Sequence, residues 1–308
     1  MKGKEIDLIE KIQKTMKYIL QFLLGSVIIL CVGVGCNKED DVVQPAVYDV
    51  SKSYSLKDVE YGKDAAQRMD VYLPANRSSD KTKVFVMIHG GGWSAGDKAD
   101  YTATMDAFKN YFPGHAIINI NYRLGTQQSP GYPKQIQDIQ SALDEIKKQK
   151  YNVSEQYLLF GGSAGAHLSL LYAYAFDPDH HVKGVVNTVG PVDLTDTLLT
   201  GNVVLMGVVG GLLGKAIYDY KSNEALFVEA SPAKRVTATS PPTISFYGDK
   251  DPLIPVTQMP LLRKALEEKA VWHYDTIYPG GGHGLWASEA QNQDYINRTI
   301  GFINQFFK

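Results

Sequence analysis

Leu158-Leu159-Phe160-Gly161-Gly162-Ser163-Ala164-Gly165-Ala166-His167 decides how this chain is read. An apolar run of strand length ends in Gly-x-Ser-x-Gly, and a helix-like segment follows over residues 164–176. That pattern describes a nucleophile elbow, a sharp strand-to-helix turn that lifts one serine hydroxyl out of a sheet. Gly161 and Gly165 sit where the turn crowds its neighbours, so a side chain at either position is expected to clash. Ser163 itself is expected in a strained backbone conformation, which folds retain mostly where function requires it.

A serine hydroxyl is a weak nucleophile near neutral pH and needs a base, which in turn needs an orienting acid. In this kind of fold the chain order is Ser, then Asp or Glu, then His. Thr243-Ile244-Ser245-Phe246-Tyr247-Gly248-Asp249-Lys250-Asp251-Pro252 reads as a short buried strand running into an acidic loop. Further on, residues 271–278 resemble a last strand, followed by Pro279-Gly280-Gly281-Gly282-His283-Gly284. Order and loop placement select Ser163, Asp251 and His283. Asp251 is the expected acid because Pro252 and Pro255 stiffen the segment after it; Asp249 is the alternative, or else caps or braces the loop.

Of seven histidines, His283 alone lies in a loop with glycines on both sides. His273 falls inside a strand, where a ring more often packs than reacts, and His167 lies one helical turn past Ser163, facing the sheet or a neighbouring helix. His180 and His181 belong to a polar Asp-Pro-Asp loop and are read as solvated, and His115 carries no partner signal.

Upstream, the strand-like residues 83–88 are followed at once by His89-Gly90-Gly91-Gly92-Trp93. Acyl transfer develops negative charge on the former carbonyl oxygen, and fixed N–H donors must meet it. Glycines let a backbone turn its amides inward without side chains in the way. Gly91, Gly92 and Ala164, the residue after the nucleophile, are the expected donors. His89 is expected to brace the loop, and Trp93 either packs beneath it or lines the pocket.

These motifs, with Asn121-Tyr122-Arg123-Leu124 and Gln67-Arg68-Met69-Asp70-Val71-Tyr72-Leu73-Pro74, resemble an α/β-hydrolase of the carboxylesterase type. Within it the chain is similar to the bacterial feruloyl and acetyl-xylan esterase group, kin to hormone-sensitive-lipase-like carboxylesterases. The resemblance runs over about residues 54–308 and implies Ser163 as nucleophile, Asp251 as acid, His283 as base, and Gly91, Gly92 and Ala164 as oxyanion donors.

With 308 residues, 44% of them apolar, and a formal net charge of −2, the chain suits one larger α/β domain. It lacks the basic stripe of a nucleic-acid binder and any zinc-type Cys/His spacing, and the proposed chemistry needs no metal or cofactor. Both cysteines, Cys31 and Cys36, precede the domain, which therefore holds no disulfide. Residues 18–35 are uncharged and mostly apolar, between a long signal core and a short membrane span. Gly33-Val34-Gly35-Cys36 resembles a bacterial lipobox, and Asn37-Lys38-Glu39-Asp40-Asp41 resembles the export signal of surface lipoproteins. The expected organisation is a signal peptide over 1–35, with Met16 as a possible true start, then lipidated Cys36 and a tether to 53, then the hydrolase domain over 54–308. An uncleaved anchor helix is the alternative.

Strands are expected at 54–61, 68–73, 83–88, 116–121, 157–161, 183–189, 243–247 and 271–277, giving a predominantly parallel eight-stranded sheet whose first two strands form an edge hairpin. Ile136, Ile139, Leu143 and Ile146 recur at spacings of three and four, marking a crossover helix over 132–150; others are expected at 261–269 and 293–307. Residues 193–239 are too long for one crossover. Their apolar, glycine-rich core over 203–214 is either a cap over the site or a core helix covering the sheet edge.

The expected activity is ester hydrolysis through an acyl-enzyme, on a small ester or an esterified polysaccharide, by a lipid-anchored envelope protein. The alternatives are a prolyl-oligopeptidase-like peptidase and a non-catalytic glycan-binding lipoprotein. Oligomeric state is left open.

Overall fold

The computed structural model describes residues 48–308. The signal peptide over 1–35, the lipidated Cys36 and the tether up to residue 47 lie outside the described residues. The strands are β1 (Tyr54–Glu60), β2 (Arg68–Leu73), β3 (Val84–Ile88), β4 (Ala116–Ile120), β5 (Tyr157–Gly162), β6 (Val182–Thr188), β7 (Thr243–Gly248) and β8 (His273–Tyr278). They form one sheet in the order β1-β2-β4-β3-β5-β6-β7-β8. The β1–β2 and β2–β4 pairs are antiparallel and every later pair is parallel. This is the predominantly parallel sheet with an edge hairpin that the strand pattern predicts.

β3 shows why a continuous apolar run becomes a central strand. All five of its residues are buried; Val84, Val86 and Ile88 enter one core, while Phe85 and Met87 enter another on the opposite face. A strand covered on both sides has no polar face to show. The helices are α1 (Thr102–Tyr111), α2 (Lys134–Lys148), α3 (Ala164–Ala175), α4 (Thr197–Thr200), α5 (Val203–Leu213), α6 (Tyr220–Glu229), α7 (Gln258–Glu268) and α8 (Glu289–Phe306). Ile136, Ile139 and Leu143 of α2 join Leu168 of α3 and Leu262 of α7 in the first core. Met105 and Phe108 of α1 join Phe302 and Ile303 of α8 in the second. α1 has no counterpart among the crossover helices read from the sequence, because Met105 and Phe108 are its only buried anchors.

Element ends differ from expectation by up to four residues, as at α8, which starts at Glu289 rather than Gln293, and two of the differences have clear local reasons. β8 begins at His273 rather than Val271, because the chain there is still closing α7: Ala270 takes φ 55° and the Val271 N–H donates to the Leu266 carbonyl at 2.9 Å. Such a left-handed closing residue satisfies carbonyls that the helix end leaves unpaired. Residues 48–53, read from sequence as the end of the tether, lie against the body of the fold. The buried Arg77 guanidinium donates to the carbonyls of Tyr48 at 2.8 Å and Lys52 at 2.8 Å.

The stretch over 193–239 has a buried and an exposed side. Leu205, Met206, Val209, Leu212 and Leu213 of α5 are buried in the main core, whereas Val203, Val204 and Val208 are exposed. The Gly211 and Leu212 carbonyls accept from Gly131 and Tyr132 N–H at 2.9 Å each, so α5 is bonded to the loop before α2. Its other side meets the glycine loop: a Cβ on Gly92 would lie 2.9 Å from Val208 Cγ1. By length and composition Val203–Glu229 could cross a membrane, but Gly214 at φ 63° breaks the run into α5, a short 3-10 turn and α6. α5 therefore packs into the core on one side and against the glycine loop on the other.

Candidate active site

Ser163 occupies the turn between β5 and α3 with φ 54° and ψ −122°. A non-glycine residue held there stores about 1–3 kcal/mol of strain. The turn is over-determined by its bonds: Ser163 N–H donates to the Thr188 carbonyl at 2.8 Å, and His167 N–H donates to the Ser163 carbonyl at 3.0 Å. The flanking glycines are required sterically. A Cβ on Gly161 would lie 2.4 Å from the Gly165 carbonyl carbon, and one on Gly165 would lie 1.9 Å from the Ile88 carbonyl oxygen. The end of β3 thus presses directly on the first turn of α3.

His283 lies in the loop after β8, and Asp251 in the loop after β7. These two loops meet backbone to backbone, since a Cβ on Gly248 would lie 2.2 Å from the Gly281 carbonyl oxygen. His283 Nε2 is 3.1 Å from Ser163 Oγ, and His283 Nδ1 is 2.8 Å from Asp251 Oδ2. A carboxylate only accepts, so Nδ1 carries the proton and Nε2 presents its lone pair to the serine hydroxyl. The Asp251 side chain is fully buried while that of His283 is 28% exposed, so the imidazole keeps a solvent-accessible part. Asp251 Oδ1 accepts from the N–H groups of Leu253 at 2.8 Å and Ile254 at 3.0 Å. Asp249 turns elsewhere: its Oδ1 accepts from Gly280 N–H at 2.7 Å, bracing the histidine loop. The structure brings Asp251, not Asp249, to the imidazole.

The glycine loop after β3 carries three consecutive residues in left-handed conformations, Gly91 at φ 108°, Gly92 at φ 57° and Trp93 at φ 61°. The Gly91 carbonyl faces inward, accepting from Ala95 N–H at 2.9 Å. Among the described residues none accepts from the N–H groups of Gly91, Gly92 or Ala164. His89 braces this loop as expected. Its ring stacks on Tyr122 at 4.2 Å between centroids, its Nδ1 lies 2.7 Å from the Gly90 carbonyl, and the Tyr122 hydroxyl donates to the His89 carbonyl at 2.9 Å. Burial holds the His89 ring below the usual histidine range, hence neutral. Trp93 is buried, so its indole packs beneath the loop and does not line a pocket.

Apart from His180, the remaining histidine rings have partners within hydrogen-bonding distance. His167 is buried between Trp93 Nε1 and the Ala230 carbonyl, and His115 stacks on Phe85 and bonds to the Phe307 carbonyl. His180 is exposed, as read from the sequence. His181 is only partly so, with Nδ1 2.8 Å from the Glu155 carbonyl. His273 Nδ1 is 3.0 Å from the Val271 carbonyl. No group of three or more His, Cys, Asp or Glu side chains among the described residues could hold a metal. Val208 beside Gly92 and the Trp93–His167 contact escaped the sequence reading, because both join segments far apart in the chain.

A hydroxyl, an imidazole and a buried carboxylate in one hydrogen-bonded line can move a proton from Oγ to Nε2 as Oγ attacks an electrophile. Unpaired N–H groups from a glycine loop and a helix start can meet a developing oxyanion.

The BD-FAE family model matches residues 69–266, more than half of the chain. The chain is 27% identical over 80% of its length to Esterase LipC of Mycobacterium tuberculosis, covering 64% of that protein. It is 26% identical over 76% of its length to Dipeptidyl aminopeptidase BIII of Pseudoxanthomonas mexicana, covering 36% of that one. The chain thus spans only part of the length of these curated relatives. A solved structure described as a truncated form of carbohydrate esterase from gut microbiota superposes with a TM-score of 0.69 at 23% identity, covering 84% of this chain and 98% of that one. That likeness establishes the α/β-hydrolase fold.

Proposed function

The chain belongs to the BD-FAE family, and from that premise we propose that it is a serine carboxylester hydrolase working through an acyl-enzyme. The observation that carries this is the unbroken line from buried Asp251 through His283 to Ser163 at a strained elbow. Ser163 Oγ attacks the ester carbonyl while His283 Nε2 takes its proton. Asp251 steadies the resulting imidazolium, and the Gly91, Gly92 and Ala164 N–H groups receive the oxyanion. His283 then returns the proton to the leaving alcohol. Water, activated by the same imidazole, releases the acid. Removing one oxyanion donor costs roughly 3–4 kcal/mol of transition-state stabilisation in comparable sites.

The proposed substrates are short-chain or aromatic esters, acetyl or feruloyl groups on plant polysaccharide among them. The likeness to a carbohydrate esterase from gut microbiota supports this choice. The match to a dipeptidyl aminopeptidase supports a peptidase as the second reading. The leader Gly33-Val34-Gly35-Cys36 followed by Asn37-Lys38-Glu39-Asp40-Asp41 supports a lipid anchor on Cys36 and an envelope location. Fatty-acid labelling that Cys36→Ser abolishes is the expected result.

Purified protein is to be assayed on p-nitrophenyl acetate, methyl ferulate, acetylated xylan and a dipeptidyl p-nitroanilide. Ester turnover that Ser163→Ala abolishes is the expected outcome. Anilide turnover without ester turnover makes the protein a peptidase, and tight glycan binding without any turnover makes it a binding protein.

A further inference from the structure

We propose that His167 is a positioning residue that pins the two halves of the oxyanion site to each other through the indole of Trp93, an inference that rests on the hydrolase reading above. The donors come from two separate segments. Ala164 opens α3, whereas Gly91 and Gly92 lie in the loop after β3. Oxyanion stabilisation needs these segments in register to within about 0.5 Å, and residues outside the donor set must supply that register.

Trp93 directly follows Gly92. A bulky residue at φ 61° is strained, and it persists only where its surroundings over-determine it. Three hydrogen bonds do so here. The Trp93 carbonyl accepts from Gly125 N–H at 2.8 Å and from Gln135 Nε2 at 2.7 Å. The third bond leaves the loop for the elbow helix: Trp93 Nε1–H donates to His167 Nδ1 at 3.2 Å. The rings meet edge to face, with centroids 5.1 Å apart at 85°.

His167 stands on the first turn of α3, its own N–H donating to the Ser163 carbonyl at 3.0 Å. It is wholly buried, and its Nε2 lies 2.8 Å from the Ala230 carbonyl at the end of α6. Only one protonation state satisfies both neighbours. An indole can only donate, so Nδ1 must offer a lone pair; a carbonyl can only accept, so Nε2 must carry the hydrogen. One neutral ring therefore ties the glycine loop, the elbow helix and the end of the cap together. Removing the indole N–H or the imidazole unties the loop from α3 while Ser163, His283 and Asp251 keep their own bonds.

The test uses the full chain and its Trp93→Phe, His167→Leu, His167→Gln and Trp93→Phe/His167→Leu variants. With p-nitrophenyl acetate, Trp93→Phe and His167→Leu are each expected to lower kcat by about 10- to 100-fold, with KM within about twofold. The double variant is expected to be no worse than the poorer single. His167→Gln, whose amide offers an acceptor and a donor, is expected to recover at least half of the loss on a logarithmic scale. Binding of phenylboronic acid, which forms a tetrahedral serine adduct, should weaken in parallel with kcat. Three tryptophans give three indole N–H signals in a proton–nitrogen spectrum. The signal that Trp93→Phe removes should be displaced and slow to exchange in the wild type and should shift in His167→Leu. That spectrum reads the contact without turnover, so a wild type inactive on every ester overturns the hydrolase reading and leaves the contact testable. The inference itself is overturned if both single variants keep kcat within twofold, if the loss falls on KM, or if the two substitutions act additively.

Discussion

Asp251 Oδ2 stands 2.8 Å from His283 Nδ1, and the same carboxylate is anchored at its other oxygen by the N–H groups of Leu253 and Ile254. The acid is thereby aimed as well as buried. Two residues earlier, Asp249 makes its bond to Gly280 N–H at 2.7 Å. Asp251→Asn should lower kcat by about 10,000-fold, because an amide presents the imidazole with the wrong tautomer. Asp249→Asn weakens a brace only, and should cost about 1 kcal/mol of stability with kcat within about threefold. Steady-state kinetics of the pair on one ester decides this; equal losses would remove Asp251 from its role.

Gly165→Ala should prevent proper folding or lower stability by at least about 3 kcal/mol, at the upper end of overpacking costs. The added carbon would lie 1.9 Å from the Ile88 carbonyl oxygen, and both partners are backbone, so no rotamer change relieves the clash. Gly92→Ala differs, since its nearest atom is the Val208 methyl at 2.9 Å, the end of a side chain. Urea unfolding of the two variants should rank them in that order.

Val208→Ala should broaden acyl-chain selection. Val208 stands over the glycine loop on the exposed side of α5, so removing its methyl groups opens space beside the proposed oxyanion site. The ratio of kcat/KM for p-nitrophenyl butyrate over acetate should rise by about 10-fold, within the range that one or two methylene equivalents confer. An unchanged ratio would place the acyl group away from α5.

Acid should destabilise this fold between pH 6.5 and pH 4, in part through His167. Burial pushes its pKa from the ordinary 6.5 down to about 4. Above 6.5 the ring is neutral in folded and unfolded chains alike, and its contribution is fully present. Below 6.5 the unfolded chain takes up a proton that the folded one refuses, so stability falls until the folded pKa is reached. The loss for this ring is about 3 kcal/mol. His89 and His115 are shifted in the same direction by burial and add to the slope. Thermal midpoints measured across that window should fall less steeply in His167→Gln than in the wild type.

Much of this fold was legible because its signals are local. β3, β5 and β7 are buried on both faces and so read as apolar runs. Ile136, Ile139, Leu143 and Ile146 keep a helical period because one face of α2 is buried in the main core. Gly161, Gly165 and Gly281 are dictated by backbone crowding, which leaves its mark as a residue type. What escaped the sequence depends on partners remote in the chain. α1 shows only two buried anchors, and its place is decided by the phenylalanine-rich core it meets. The stretch over 203–214 looks the same as cap or as core, because composition records burial and not what does the burying.

The sequence by itself determined the order of Ser163, Asp251 and His283, the glycine loop ahead of them and the sheet that carries them all. Turn chemistry and strand periodicity are properties of neighbouring residues. Only the tertiary structure decided that Asp251 rather than Asp249 faces the imidazole, that Val208 overlies Gly92, and that His167 joins Trp93 to the elbow helix. Each of those choices is a contact between segments remote in the chain, which meet only when the sheet brings their loops together.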